Sequence, residues 1–442
     1  MSACIRNLCT FAALFGFMFG KILNTFGTRI VVALFNLAIA VIISQVLGDS
    51  GKGVQSLILT NISFILIFSE IVCGASLVFL TSRYPFSKLW LPSVLWALLI
   101  AVLMGVVMFL FNMGLDITLA LHTAVLSFIS SFASINFRFL LGKEEVKKAN
   151  YNTLLQPFVL VVTLLVYYLL LGNRDIYGYV LGLYLAYLSS AVLGVCQLRH
   201  EYAALTLAPF AEYREALKAL FKYGFLNQTS HFVQFFNLRL SYYLLNAFVD
   251  VGHVGVYSNA VSLAESLWII SNSIALVQYA RISNSTDKAY NQRLTLDLAK
   301  LCFAVALPAV VVLALLPASF YQFVFGPDFG LMATLIRILA PGVLLYSLFL
   351  ILGHYYSGSG RYFMNTIAAM CGLAVTLVCG FTLIPRYAAQ GAAVTAAIAY
   401  SMNAVFLLVC FLKESRFKMS DFVLTYAELK NYIAEIKNHY LK

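Results

Sequence analysis

Arg29, Glu70, His231, Arg239 and Glu265 interrupt long apolar runs of this sequence. On insertion scales, a charged side chain at a bilayer centre costs roughly 2.5–3.5 kcal/mol. Two readings explain why a chain would keep such residues. They can form internal ion pairs that let polar helices pack; removing one member then leaves an uncompensated charge. Alternatively, the arginines can line a cationic cavity and grip an anionic headgroup such as a pyrophosphate through forked, charge-assisted hydrogen bonds. His231 fits either reading, as a satisfied buried histidine or as a further member of the cationic surface. Glu70 and Glu265 are candidates for ion coupling or for ion-pair partners.

Depth along the helices can be counted at about 1.5 Å per residue. Arg29 then lies roughly 27 Å below the outer end of its helix and Glu70 roughly 25 Å below that of the next. Arg239 and Glu265 lie roughly 13 and 16 Å from theirs. Each acid therefore shares a level with one arginine, and His231 sits at the level of Arg29. Neutral polar residues mark the same faces. Asn227, Gln234, Asn237 and Asn272 could bind sugar hydroxyls, or could hold helices together, the commoner role.

The elements that must position these groups are membrane-spanning helices. Charged residues make up 11% of the 442, against about 25% in a soluble domain, and apolar runs of about 20 residues recur throughout. A soluble reading is excluded; the chain is expected to be an all-α polytopic membrane protein. The eight cysteines fall in apolar runs or on the expected cytoplasmic side, so neither a disulfide framework nor a metal cluster is expected, and no cofactor.

Twelve spans are expected in two groups of six. The first holds Thr28–Leu47, Val54–Leu80, Leu89–Phe111, Ile117–Leu141, Tyr151–Leu171 and Tyr177–Leu198. The second holds Tyr223–Phe248, Val254–Ala280, Leu294–Leu316, Leu331–Tyr355, Asn365–Ile384 and Ala392–Leu412. Leu8–Gly20 reads as an interfacial or lead-in helix. This divides the chain into an N-terminal lobe (1–205), a C-terminal lobe (206–412) and a cytoplasmic amphipathic tail (413–442), whose apolar residues from Phe422 to Tyr440 recur at helical steps. The second half of the Arg199–Lys222 connection is likewise expected to be an amphipathic interfacial helix.

One set of loops carries nearly all the Lys and Arg, while the other holds only Lys52, Arg174 and Arg386. Positive charge concentrates on the cytoplasmic side, which places both termini there. The halves also repeat. Setting Gly53-Val-Gln-Ser56 over Gly255-Val-Tyr-Ser258 brings Ser69 onto Ser271, Arg29 onto His231 and Glu70 onto Asn272. Two six-span halves of like orientation imply a parallel repeat, with a cavity between the halves as the expected substrate site.

No P-loop, HExxH or GxSxG occurs, and no outer loop is long enough to host chemistry, so the chain is not read as an enzyme. Those short outer loops also argue against a polysaccharide polymerase or ligase.

Several segments, in order, resemble the polysaccharide transporter branch of the multidrug/oligosaccharidyl-lipid/polysaccharide (MOP) exporter superfamily. They are Ser44-Gln-Val-Leu-Gly-Asp-Ser-Gly-Lys-Gly53, Arg239-Leu-Ser-Tyr-Tyr-Leu-Leu245, Val254-Gly-Val-Tyr-Ser258 through Glu265, Phe325-Gly-Pro-Asp-Phe329, Leu339-Ala-Pro-Gly342 and Ile384-Pro-Arg-Tyr-Ala-Ala-Gln-Gly-Ala-Ala393. The sequence departs from the family pattern at Ser241, where Asp is frequent, and near Tyr279–Ala280, where Pro is frequent. The resemblance implies a V-shaped, MATE-like pair of six-helix bundles in the bacterial inner membrane. It implies alternating access that moves an undecaprenyl-diphosphate-linked oligosaccharide to the outer leaflet for O-antigen, capsule or exopolysaccharide synthesis. Its partners would be that lipid-linked oligosaccharide, the bilayer, and polysaccharide polymerase or export proteins. The alternative is a drug or metabolite efflux carrier of the same superfamily.

Overall fold

The computed structural model describes residues 2–111 and 113–422, with side chains from Gly27 onward except Leu226. Apolar stretches with few breakers become long helices: α1 (Ser2–Cys73), α2 (Ala75–Leu80), α3 (Phe86–Phe111), α4 (Ile117–Gly142), α5 (Val146–Leu165), α6 (Tyr177–Gln197), α7 (Arg199–Ala203), α8 (Phe210–Phe248), α9 (Val251–Ser266), α10 (Trp268–Ser283), α11 (Lys288–Leu315), α12 (Ala318–Phe325), α13 (Met332–Gly358) and α14 (Phe363–Glu414). The expected amphipathic tail lies outside the described residues beyond Phe422.

Among the described residues, nine helical stretches are long and apolar enough to cross a membrane. Two of them, Gly27–Leu80 and Phe363–Glu414, run to 54 and 52 residues. A straight helix of that length would be about 80 Å long, more than twice the hydrocarbon thickness of about 30 Å. Both are broken. Gly48 has φ 68°, a left-handed conformation that glycine adopts without steric cost. Ala388 has φ 48°, and beyond it the chain folds back, so that a Cβ on Gly380 would stand 4.0 Å from Thr395. Counting each broken helix as two spans, and adding the more polar Phe210–Phe248, gives the twelve expected.

The Leu8–Gly20 segment leads directly into the first span inside α1, and two details refine the sequence reading. The amphipathic stretch before span 7 is not a separate interfacial helix; it is the start of α8, which continues unbroken for 39 residues. Span 8 carries a one-residue step at Leu267, between α9 and α10, that keeps helical dihedrals (φ −63°, ψ −22°).

The chain forms two compact units, Met1–Phe232 with Val324–Asp328, and Val233–Phe323 with Phe329–Lys442. In the first unit, Val72, Leu77, Leu89, Ile135, Phe139 and Leu220 form one core cluster. The start of α8 belongs to it. Phe221 meets Trp96 edge-on at 5.9 Å, and Glu212 pairs with Lys88 at 2.5 Å. Gly224 presses its backbone against the Ile71 carbonyl, leaving no room for a Cβ.

In the second unit, α13 packs along α14, α11 and α10. Gly342 lies against the backbone of Ala397. Small residues allow this close approach, which drives helix association in lipid, where hydrophobic burial gives little.

Candidate functional site

Each unit holds an ion pair whose acid lies inside a stretch long and apolar enough to cross a membrane. In the second unit, α8 carries Arg239 and α9 carries Glu265. Arg239 Nη1 donates to Glu265 Oε1 at 3.2 Å and Nη2 to Oε2 at 2.9 Å. The Tyr400 hydroxyl donates to the same Oε1 at 2.8 Å. The carboxylate side chain is 12% exposed and the guanidinium 28%. Glu265 thus accepts three hydrogen bonds in a low-dielectric setting, where such a pair is stable only with good geometry and satisfied lone pairs.

Aromatic rings enclose this pair. The Arg239 guanidinium lies 5.4 Å from the Tyr242 ring centroid, within cation–π range. Trp268 stacks on Tyr346 at 4.1 Å and meets Tyr400 edge-on at 5.3 Å. Gln234 donates to the Tyr346 hydroxyl, and the Trp268 indole N–H to the Val343 carbonyl at 3.0 Å. Asn237 is buried, and its Oδ1 accepts from Thr376 at 3.1 Å. Gln234 and Asn237 are therefore engaged within the unit.

In the first unit, Glu70 stands one turn before the break between α1 and α2, and the Gly74 N–H donates to its carbonyl at 3.0 Å. Its side chain is paired, but not with Arg29, the arginine that the depth count set at its level. Arg138 on α4 donates from Nη2 to Oε1 at 2.9 Å, and Gln228 donates to Oε2 at 3.4 Å. Both charged side chains keep about a quarter of their surface open, 27% for Arg138 and 28% for Glu70. Arg29 is exposed and has no hydrogen bond or ion pair among the described residues. The same holds for His231 and Asn227, which also belong to the first unit, and for Asn272 in the second.

The sequence reading missed Arg138, Tyr346, Tyr400 and Trp268. Arg138 had a signal: it is a guanidinium inside the apolar run Ile117–Leu141. The aromatics had none, since Tyr and Trp recur throughout the spans. In the turn between α8 and α9, Asp250 caps α9, accepting from the His253 N–H at 2.8 Å and pairing with its ring at 2.7 Å. Burial alone would raise the Asp250 carboxyl, but the His253 contacts outweigh it and hold the group below the ordinary carboxylate value.

The helical fold of the described residues is similar to that of solved flippase and transporter structures. A solved structure titled lipid II flippase MurJ, inward closed conformation, superposes with a TM-score of 0.71 at 15% identity, covering 91% of this chain and 88% of that one. A multidrug resistance MATE family transporter of the MOP superfamily superposes at 0.70, again 15% identical, covering 87% and 94%. No family model matches the chain. Among curated proteins, the probable low-salt glycan biosynthesis flippase Agl15 of Haloferax volcanii is 21% identical over 191 residues, which is 42% of this chain and 40% of that relative's length. The match thus spans well under half of that relative.

Proposed function

We propose that the chain is a flippase that carries an undecaprenyl-diphosphate-linked oligosaccharide repeat unit from the inner to the outer leaflet of the bacterial cytoplasmic membrane by alternating access. Both termini face the cytoplasm, and the cargo serves O-antigen, capsule or exopolysaccharide synthesis. The observation that carries this reading is Arg29: an exposed guanidinium in an apolar span, with no acid beside it among the described residues. A cation held there without a partner suits a diphosphate. His231 and Asn227 add donors on the same unit. An inside-negative potential drives such a cargo outward by about 2.3 kcal/mol per charge per 100 mV. Likeness to a glycan flippase over part of the chain agrees with this reading.

The efflux alternative draws on the equally good superposition with a multidrug transporter. A cationic drug needs a free carboxylate, and Glu70 and Glu265 are both held by arginines. The anionic cargo is therefore favoured.

The test is Arg29→Ala, with membrane expression and thermal stability measured beside translocation of lipid-linked oligosaccharide in reconstituted vesicles. The expected result is a normally stable protein with translocation reduced at least tenfold; normal translocation would remove the reading. Glu70→Gln and Glu265→Gln test ion coupling in the same assay. Full transport in both, with unchanged pH dependence, would exclude either as a proton carrier.

A further inference from the structure

Lys52 lies in the first unit, between the first two spans and just beyond the break at Gly48, yet it is only 5% exposed. Its Nζ donates to the Gln55 side-chain oxygen. The Gln55 amide nitrogen in turn donates to the Tyr179 hydroxyl of α6 at 3.2 Å. Gln55 and Tyr179 are buried as well. A lysine ammonium brings three donors, and this one meets a single neutral acceptor. No carboxylate pairs with it among the described residues.

Two features disfavour a positive charge there. A cation taken out of water without an opposite charge loses its hydration and regains nothing. Helical backbone also resumes just after Gly48, so Lys52 stands in a first turn, where unpaired N–H groups already gather about half a unit of positive charge. Burial lowers the amine from its ordinary 10.5 to about 7. Ionisable groups in the turns on the same side are engaged elsewhere. Asp49 holds Ser50, Asp116 caps α4 through the Leu119 N–H, and Asp175 accepts from Tyr167 and from the Tyr177 N–H. The His122 ring meets the Tyr184 hydroxyl, and Arg174 is exposed. α3 has no ionisable residue from Leu89 to Phe111. The exposed Asp328 carboxylate stands at the break itself, with Oδ2 3.0 Å from where a Cβ on Gly48 would lie.

We propose that Lys52 is a proton-binding site, and that opening of the packing around Gly48 takes up one proton from water onto its Nζ. Above neutral pH the closed arrangement holds a neutral amine that donates to Gln55. When the Gln55–Tyr179 link parts, the four-carbon stem carries Nζ into water on the side of the Asp328 carboxylate. The amine there has the proton affinity of an ordinary lysine, and one proton binds. Acid therefore favours the open arrangement. The site is separate from Glu70 and Glu265, and it stands whether or not the cargo reading holds.

Hydrogen exchange of the full chain in lipid nanodiscs tests this, read by mass spectrometry over residues 45–60 and corrected for the intrinsic pH dependence of exchange. The opening constant of the wild type should rise about tenfold for each pH unit lost between about 9.5 and 7.5, and level off below about 7. Lys52→Met, of similar length but with no proton to bind, should keep a low constant across that range. Lys52→Arg, charged throughout, should keep a high one. Peptides from α13 should exchange alike in all three. Should a variant fail to fold, carbon NMR of the wild type labelled at lysine Cε reads the titration directly, and one lysine should titrate at about pH 7. A pH response in Lys52→Met equal to that of the wild type, a wild-type opening constant that ignores pH, or every lysine titrating above about pH 9 would overturn the proposal.

Discussion

Arg239 and Glu265 meet fork to fork, with N–O distances of 3.2 and 2.9 Å, while Tyr400 holds one of the shared oxygens from a third helix. Breaking such a pair strands a buried charge, at about 3–5 kcal/mol. Arg239→Met and Glu265→Leu should each lower stability by about 3 kcal/mol, allowing for the part of the guanidinium that stays open. The double variant should lose less than either alone. Unfolding of the purified variants, arranged as a double-mutant cycle, measures this; strict additivity would mean the two groups do not interact.

Glu70 pairs with Arg138, and the same method separates that arrangement from a pairing with Arg29. Combining Glu70→Gln with Arg138→Gln should give a coupling energy of about 1–2 kcal/mol. Combining Glu70→Gln with Arg29→Gln should be additive within about 0.5 kcal/mol. Coupling to Arg29 in place of Arg138 would show that the ion pair described for the first unit is wrong.

Gly224 leaves no room for a methyl group beside the Ile71 carbonyl, and backbone cannot swing away as a side chain can. Gly224→Ala should therefore destabilise by more than about 2 kcal/mol, although Ala is the better helix former by nearly 1 kcal/mol. Gly27, where an added Cβ has no neighbour within 4 Å among the described residues, is the control: Gly27→Ala should be neutral or slightly stabilising. Expression and thermal midpoint report both.

Asp250 contributes through its charged form, as cap and as partner of His253. Its folded carboxyl sits below the ordinary value of 3.8, so the contribution is complete above that pH and fades only as acid reaches the lower folded value. Asp250→Ala should cost about 1 kcal/mol at pH 7, and Asp250→Asn much less. The gap between wild type and Asp250→Ala should stay constant from pH 7 to about 5 and close only in stronger acid. A gap that already closes above about pH 5 would show that the Asp250 carboxylate is not its source.

Hydropathy carried most of the fold in the sequence, because a bilayer allows few backbone solutions and each apolar run has to be a helix. Helix breaks were legible where turn residues mark them, as at Gly48, while the step at Leu267 was illegible, with no glycine or proline to announce it. The Arg239–Glu265 pair was legible because consecutive helices are neighbours and depth was the missing coordinate. The same count set Glu70 beside Arg29 and missed Arg138. Depth fixes one coordinate of three, and the direction in which a residue leaves its helix decides which neighbour it meets. Tyr400, contributed by a helix 135 residues further along the chain, was out of reach of any local pattern.

The step at Leu267 is one residue wide and keeps helical dihedrals, φ −63° and ψ −22°, so α9 and α10 run on as a single crossing of 33 residues. Glu265 and Trp268 flank it. The Leu267 N–H there donates three residues back, to the Ala264 carbonyl at 3.3 Å, and this tighter turn sets both the carboxylate and the indole against Tyr400.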